Sequence, residues 1–210
     1  MKKSIDEMIQ EFTNVLTVTH RNGIENVLHG LDELGFFKAP ASSAFHCDYE
    51  GGLLEHSLNV YHQMMRIRHF EFEMFPDAVG HITNESVAIV ALLHDVCKAE
   101  IYKKVEKFRK DKDNKWEKYL AWKADHSQLP LGHGEKSVIR LLRWGLELTD
   151  DEILAIRWHM GKWDLSEYAD AKQSFNAACD KTPLLPLLMA ADQLASRISD
   201  RPAALENAAK

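Results

Sequence analysis

Apolar residues recur along most of the chain at the three- and four-residue steps that place side chains on one face of an α-helix. Residues 22–35 show this clearly, because their leucines and other aliphatic residues keep those steps up to Gly35. The same pattern predicts helices at about residues 3–18, 53–69, 84–99, 134–144 and 150–160, and a last helix that begins near Pro183 or Pro186. Most of the chain is therefore predicted to be helical.

Two of these helices carry capping signals at their first residues. Asn84 is the predicted N-cap of the helix at 84–99. Thr149 and Glu152 have the spacing of a capping box, and Gly161 provides a C-terminal stop. The sequence thus defines both ends of the helix at 150–160.

Residues 101–124 break the helical pattern. The segments "YKKVEKF" and "WEKYLAW" are rich in aromatic residues and alternate loosely between apolar and polar, and the polar stretch "RKDKDNK" lies between them. This arrangement predicts two strands joined by a turn. The predicted fold class is all-α, a helical bundle with a small inserted β-hairpin at about 101–124.

The length of 210 residues suits one domain. No apolar run is long enough to span a membrane, and the N-terminal segment turns acidic instead of entering the apolar stretch of a secretory signal. Cys47, Cys97 and Cys179 lie far apart and form no CxxC pair, which favours reduced thiols. We therefore expect a cytoplasmic protein without a membrane partner.

Charge is distributed unevenly along the chain. The net charge is −6, but residues 98–123 hold ten Lys and Arg against five acidic residues, so this segment is +5 and the remainder is −11. Two interpretations stay open. The segment is either a solvated surface or an arm that attracts phosphate groups.

The predicted helix at 84–99 is apolar nearly all round, which is typical of a helix in the middle of a domain. It nevertheless contains His94 and Asp95. An unpartnered carboxylate there costs several kcal/mol. Asp95 is therefore expected to be paired, hydrogen-bonded or bound to a metal.

Four further residues of the metal-ligand type lie on or beside apolar helices, namely His56, His133, His159 and Asp192. Imidazole and carboxylate ligands together suit zinc, iron, manganese, nickel or cobalt, and the absence of clustered thiols argues against a structural zinc site. A metal centre among the helices gives these scattered residues a common role. No GxSxG or GxxxxGK[ST] motif occurs, so serine hydrolases and P-loop NTPases are excluded.

The chain resembles the HD-domain superfamily of metal-dependent phosphohydrolases over residues 36–197. The ordered pattern H…HD…D is matched by His56, His94–Asp95 and Asp192, and the intervening His133 and His159 are typical of members with two metals. The segments "FHCDYEGGLLEHSLNV" and "LLHDVCK" are similar to the HD half of YhaM-type 3′→5′ exoribonucleases.

This resemblance implies a first metal held by His56, His94, Asp95 and Asp192. It implies that Asp95 bridges to a second metal held by His133 and His159, with a hydroxide between the metals attacking phosphorus. Lys98 is expected either to bind a phosphate oxygen in catalysis or to be a surface lysine at a helix end.

The sequence also departs from particular members of the superfamily. No GYP signature occurs and His159 is followed by Met160, which argues against cyclic di-GMP as substrate. We do not expect the helical residues 1–35 to form the nucleic-acid-binding OB module of YhaM-type enzymes, which argues against processive RNA degradation. Trp116, Tyr119 and Trp122 of the hairpin either stack on bases or form its core. Further possible substrate-binding residues are His46, Tyr49, Lys103 and Lys104.

The sequence therefore predicts a single HD domain, with N-terminal helices at 1–35, a metal-binding core at 36–199 and a loose tail at 200–210. It is expected to bind one or two divalent ions (Mn, Ni, Fe, Co, Zn or Mg) and to hydrolyse phosphoester bonds in nucleotides or short oligonucleotides. The alternatives are a non-catalytic module that binds a phosphorylated ligand and a di-iron oxygenase. No stable protein partner is evident, and the oligomeric state stays open.

Overall fold

The structure is a computed structural model that describes residues 3–164 and 169–201. Its helices are α1 (Ile5–Thr17), α2 (Ile24–Leu34), α3 (Gly52–Met74), α4 (Pro76–Val79), α5 (Asn84–Leu93), α6 (Lys98–Ile101), α7 (His133–Arg143), α8 (Asp150–Trp158), α9 (Ala169–Lys181) and α10 (Leu184–Leu194). Strands β1 (Tyr102–Lys110) and β2 (Trp116–Ala124) form an antiparallel hairpin. The prediction of an all-α fold with a small inserted hairpin is confirmed.

Helices α3, α5 and α10 pack together at the centre of the domain. Every residue of α5 from Val87 to Leu93 is buried, so this helix meets other elements on all sides. Its apolar sequence explains this position, because only the middle of a domain offers protein contacts around a whole helix.

The segment predicted as one helix at 84–99 is divided in the structure. Helix α5 ends at Leu93, a turn follows, and α6 begins at Lys98. The N-cap is Thr83, whose side chain accepts a hydrogen bond from the Ser86 backbone N–H, so the prediction of Asn84 was wrong by one residue. His94 and Asp95 therefore lie in a turn between two helices.

The N-terminal helices α1 and α2 cover one side of the core with fully buried side chains such as Phe12 and Leu31. Arg21, between these helices, reaches Glu152 at the start of α8 with two hydrogen bonds of 2.7 and 2.8 Å. Glu152 also completes the predicted capping box with Thr149, which is confirmed. One buried carboxylate thus joins the N-terminal helices to α8.

The hairpin pairs Tyr102 with Ala124 at its base and Lys110 with Trp116 near its tip. Trp116 is 70% exposed. The interpretation of the hairpin aromatics as a core is therefore wrong for this residue, because two strands alone bury little of a large ring.

Helix α9 was not predicted from the sequence. Its segment "ADAKQSFNAACDK" contains few large apolar residues, and Phe175 is the largest of those that pack against the core. Among the described residues, none of the helices is long and apolar enough to cross a membrane.

Candidate metal centre

The six predicted metal ligands come from five separate parts of the fold. His56 lies in the second turn of α3, His94 and Asp95 in the turn after α5, His133 at the first residue of α7, His159 directly after α8, and Asp192 near the end of α10. His56, His94, Asp95 and His159 are buried, whereas the side chain of Asp192 is 17% exposed. Helix ends therefore bring the cluster together beneath the surface.

Asp95 lies at the centre of the cluster. Its Oδ2 atom is 3.2 Å from Nε2 of His94 and 3.7 Å from Nε2 of His56, and its Oδ1 atom is 3.5 Å from Nε2 of His159. The Oδ1 atom of Asp192 is 3.4 Å from Nε2 of His56. The Oδ2 atom of Asp95 thus faces His56 and His94, and its Oδ1 atom faces His159.

Three of the histidines are held by hydrogen bonds of their Nδ1 atoms. His94 Nδ1 lies 2.9 Å from the carbonyl oxygen of Ala91, and His159 Nδ1 lies 2.8 Å from that of Ile156. A carbonyl oxygen only accepts, so Nδ1 carries the proton and Nε2 presents a lone pair to the cluster. His56 Nδ1 makes the equivalent contact with a carboxylate, at 2.8 Å from Asp200 Oδ2.

The atoms that face the centre of the cluster have no hydrogen-bond partner among the described residues. They are the Nε2 atoms of His56, His94 and His159 and the Oδ1 atom of Asp95. A buried polar atom without a partner costs about 1–3 kcal/mol. The combination of outward-bonded Nδ1 and unpartnered inward Nε2 is the arrangement of metal-ligating histidines, so these residues fit a divalent cation.

Four groups of three possible ligand atoms lie within 4.8 Å among the described residues, and two of them consist of predicted ligands alone: His56, His94 and Asp192, and His94, Asp95 and His159. A third joins His46, His56 and Asp200. His133 belongs instead to a group with Asp95 and Cys97. Its Nδ1 atom is 3.6 Å from Sγ of Cys97, and burial raises the pKa of that thiol to about 12. Cys97 is therefore a neutral neighbour of His133 at neutral pH.

Gly134 explains how α7 comes so close to α8. A Cβ atom at this position would lie 2.4 Å from the carbonyl oxygen of Ile156 and 2.2 Å from that of Arg157. The Ile156 carbonyl is the group that orients His159. The absence of a side chain at Gly134 therefore lets the helix that begins at His133 approach the cluster.

Lys98 contacts the cluster through Asp95, with its Nζ atom 2.6 Å from Oδ2. Burial alone raises the pKa of Asp95, but the positive charge of Lys98 opposes this, and the pKa lies well below its usual value. Lys98 is only 9% exposed and begins α6. The interpretation of Lys98 as a surface lysine at a helix C-terminus is therefore wrong.

The predicted substrate-binding residues lie at different distances from the cluster. The His46 ring centroid is 5.1 Å from that of His56, and burial lowers the pKa of His46 to about 4. The Tyr49 hydroxyl donates to Glu55 at 2.7 Å. His46 is thus beside the cluster, while Tyr49 is held at the surface next to it.

Lys103 and Lys104 lie on the hairpin and project to opposite sides of β1, because successive strand residues alternate. Lys103 pairs with Asp125 at 2.6 Å. Lys104 approaches Glu50, in the loop before α3, at 3.5 Å. Lys104, but not Lys103, therefore lies on the side of the hairpin that contacts the loop before α3.

Asp200 is the residue that the sequence interpretation missed. It was placed in a loose tail at 200–210, but it is 7% exposed and bonded to both His56 and Asn59. A π-helical turn, Ala195–Ser199, precedes it and carries the chain back under α3. The tail prediction is therefore wrong at Asp200, and its residues 202–210 lie outside the described ranges.

Comparison with protein-family models, with curated proteins and with solved structures finds no match to this chain.

Proposed function

We propose that this protein is an HD-type metal-dependent phosphohydrolase that cleaves phosphoester bonds in nucleotides or short oligonucleotides. The observation that carries the proposal is the convergence of unpartnered Nε2 atoms from His56, His94 and His159 around Asp95. The order of these residues along the chain, with Asp192 after them, also resembles the H…HD…D pattern.

The residues present suggest how two cations would be shared. His56, His94, Asp95 and Asp192 would hold the first, and His133 and His159, with the other oxygen of Asp95, the second. Divalent cations bound there would lower the pKa of water and offset phosphate charge. Manganese, nickel, iron, cobalt and zinc are compatible with this mixture of nitrogen and oxygen ligands, whereas magnesium, which prefers oxygen ligands, matches it less well.

The protein's own residues would position the substrate. Lys98 keeps its charge, because Asp95 raises the pKa of its ammonium group despite burial. Its ammonium group lies 2.6 Å from the central carboxylate and would therefore be close to a phosphate bound at the cluster. It would offset the charge that develops on a phosphate oxygen in the transition state.

The cysteines of the chain indicate the compartment in which the proposed reaction would take place. The three cysteines are all free thiols in the structure. Free thiols persist in the reducing cytoplasm and are less common in secreted proteins. We therefore place the proposed reaction in the cytoplasm.

Metal analysis of protein purified without chelator tests the centre, with one to two equivalents expected. The double variant His94→Ala/Asp95→Ala should lose this metal. The matched control is His29→Ala/Asp32→Ala, which also removes one histidine and one aspartate, but from the exposed surface of α2. Retention of metal by the first variant would refute the assignment.

The reaction class is tested with the metal-loaded protein. We expect hydrolysis of bis-p-nitrophenyl phosphate, of nucleoside monophosphates or of short single-stranded oligonucleotides, and loss of activity in His94→Ala/Asp95→Ala. Absence of hydrolysis with every substrate and metal would favour a binding module. Oxygen uptake by the iron-loaded protein would favour an oxygenase instead.

A further inference from the structure

One side of the hairpin carries exposed apolar rings next to cations. Residues directly opposite each other in an antiparallel pair point to the same side of the sheet. The register therefore places ten residues on one side, which we call the exposed hairpin face: Tyr102, Lys104, Glu106, Phe108, Lys110, Trp116, Lys118, Leu120, Trp122 and Ala124.

The apolar residues of this face are open to solvent. Phe108 is 65% exposed, Trp116 is 70% exposed and Leu120 is 65% exposed. Single exposed apolar side chains are ordinary, but several that lie together on one surface are typical of a binding site. The hairpin face is such a group, because all three residues lie within a short stretch of two paired strands.

Cations accompany these rings. The Nζ atom of Lys104 lies 5.0 Å from the ring centroid of Trp122, and that of Lys110 lies 5.7 Å from that of Trp116. Residues 102–124 contain nine Lys and Arg against four acidic residues, whereas the rest of the chain has a net charge of −11. A polyanion is therefore attracted to the hairpin and repelled elsewhere.

Both sides of the hairpin carry ion pairs, which on the exposed hairpin face join Lys118 to Glu106 and Lys104 to Glu50, but the two sides differ in the exposure of their rings. On the opposite side, Arg109 lies over the ring of Tyr119 at 5.0 Å and pairs with Glu117. Lys103 pairs with Asp125 at the base. Tyr119 is half-buried, whereas Phe108 and Trp116 of the exposed hairpin face are largely open to solvent.

Single-stranded nucleic acid has the chemistry that matches this face. Its bases stack on aromatic rings and its phosphates pair with lysines, with no need for a particular base sequence. An apolar protein surface would match the rings but not the positive charge. We propose that the exposed hairpin face binds single-stranded nucleic acid.

The base of this face lies at the candidate metal centre. Tyr102 points to the same side as Lys104 and is close enough to Lys98 and Asp95 to interact with their charges. A nine-residue strand extends about 26 Å from its first to its last Cα atom at roughly 3.3 Å per residue. The face would therefore guide a single-stranded nucleic acid of several nucleotides toward the cluster. This guiding role rests on the proposed phosphohydrolase function, whereas the binding of nucleic acid to the face does not.

Fluorescence anisotropy with labelled twelve-nucleotide U12 and T12 strands, in the presence of EDTA, measures binding without catalysis. We expect Phe108→Ser/Trp116→Ser to weaken binding at least tenfold, because stacking contributes about 1–3 kcal/mol per base. The side chains are exposed, so circular dichroism should show an unchanged fold.

A charge-matched pair of variants tests which side is used. Lys104→Glu/Lys110→Glu changes the exposed hairpin face, and Lys107→Glu/Lys123→Glu changes the net charge equally on the opposite side. The first pair should weaken binding several-fold more than the second. Equal losses would overturn the proposal, because they would indicate only long-range attraction by the positive hairpin.

Two other results would also overturn it. One is the absence of binding by the wild-type protein at low salt. The other is a dimer, detected by sedimentation velocity, that Phe108→Ser/Trp116→Ser converts to a monomer, because the face would then contact a second copy. If binding persists but neither metal nor hydrolysis is found, the proposed function fails while this inference stands.

Discussion

The Nδ1 atom of His56 lies 2.8 Å from Oδ2 of Asp200, a residue 144 positions later in the chain. The other oxygen of Asp200 accepts a hydrogen bond of 2.9 Å from Asn59, one turn after His56 on α3. The Asp200 carboxylate thus fixes the orientation of the His56 imidazole through the nitrogen that points away from the cluster. Such contacts also make the opposite nitrogen a better metal ligand.

Replacement of Asp200 by alanine is expected to weaken metal binding about 10- to 100-fold, the usual effect of removing a residue that orients a ligating histidine. Isothermal titration calorimetry with Mn²⁺ or Zn²⁺ measures this change. Asp32→Ala, at an exposed position of α2, is the control. Unchanged affinity in Asp200→Ala would mean that His56 is not a ligand.

Lys98 and Asp95 form a buried ion pair in the metal-free protein. Lys98→Met leaves the carboxylate without its nearest cation, and breaking a buried pair in this way costs about 3–5 kcal/mol. A bound divalent cation replaces the missing positive charge. We therefore expect the variant to be strongly destabilised without metal and much less so with it.

Thermal unfolding in EDTA and in excess Mn²⁺ measures this difference for wild-type and variant protein. The increase in Tm on adding metal should be larger for Lys98→Met than for wild type. Lys136→Met, which also removes a buried lysine but one that forms no ion pair with Asp95, controls for the loss of packing. Equal increases for all three proteins would show that Asp95 does not bind the cation.

The close approach of α7 to α8 at Gly134 gives a third prediction. Alanine favours a helix by up to about 1 kcal/mol over glycine, but its Cβ atom would meet two backbone carbonyls that have little freedom to move. Overpacking of this kind costs about 1–3 kcal/mol, so we expect Gly134→Ala to be destabilising. Urea unfolding measures the change.

The same substitution should also weaken metal binding, because it displaces the Ile156 carbonyl that orients His159. Arg143→Ala, exposed at the end of α7, serves as the control for both measurements. A more stable Gly134→Ala protein would show that helix propensity outweighs the contact between α7 and α8.

The sequence predicted best what depends on neighbouring residues. The capping box of Thr149 and Glu152 is local chemistry, and the structure has it as predicted. The hairpin was also predicted, because its alternation and polar turn are contained in the segment itself. Both features need no knowledge of the remaining chain.

Features set by distant contacts were not predicted. The turn at His94 and Asp95 interrupts a segment with continuous helical periodicity. In the sequence, nothing distinguishes Asp200 from other acidic residues. Its contact with His56 depends on the π-helical turn that precedes it. The six candidate ligands were identified by their order along the chain, but their distances depend on how the helices pack.

Arg21 and Glu152 join the N-terminal helices to α8. Glu152 is fully buried, and Arg21 supplies its positive charge through two hydrogen bonds. Arg21→Met should therefore destabilise the protein by about 3–5 kcal/mol, because the carboxylate remains buried without its cation. Urea unfolding should show a lower midpoint with an unchanged slope.

The double variant Arg21→Met/Glu152→Gln separates charge from packing. A neutral amide at position 152 costs less to bury than a carboxylate, so the double variant should be more stable than Arg21→Met alone. Strictly additive losses would mean that the two side chains do not interact. Since this pair connects α1 and α2 to the core, tryptophan fluorescence and circular dichroism should report one common unfolding transition, as a single domain requires.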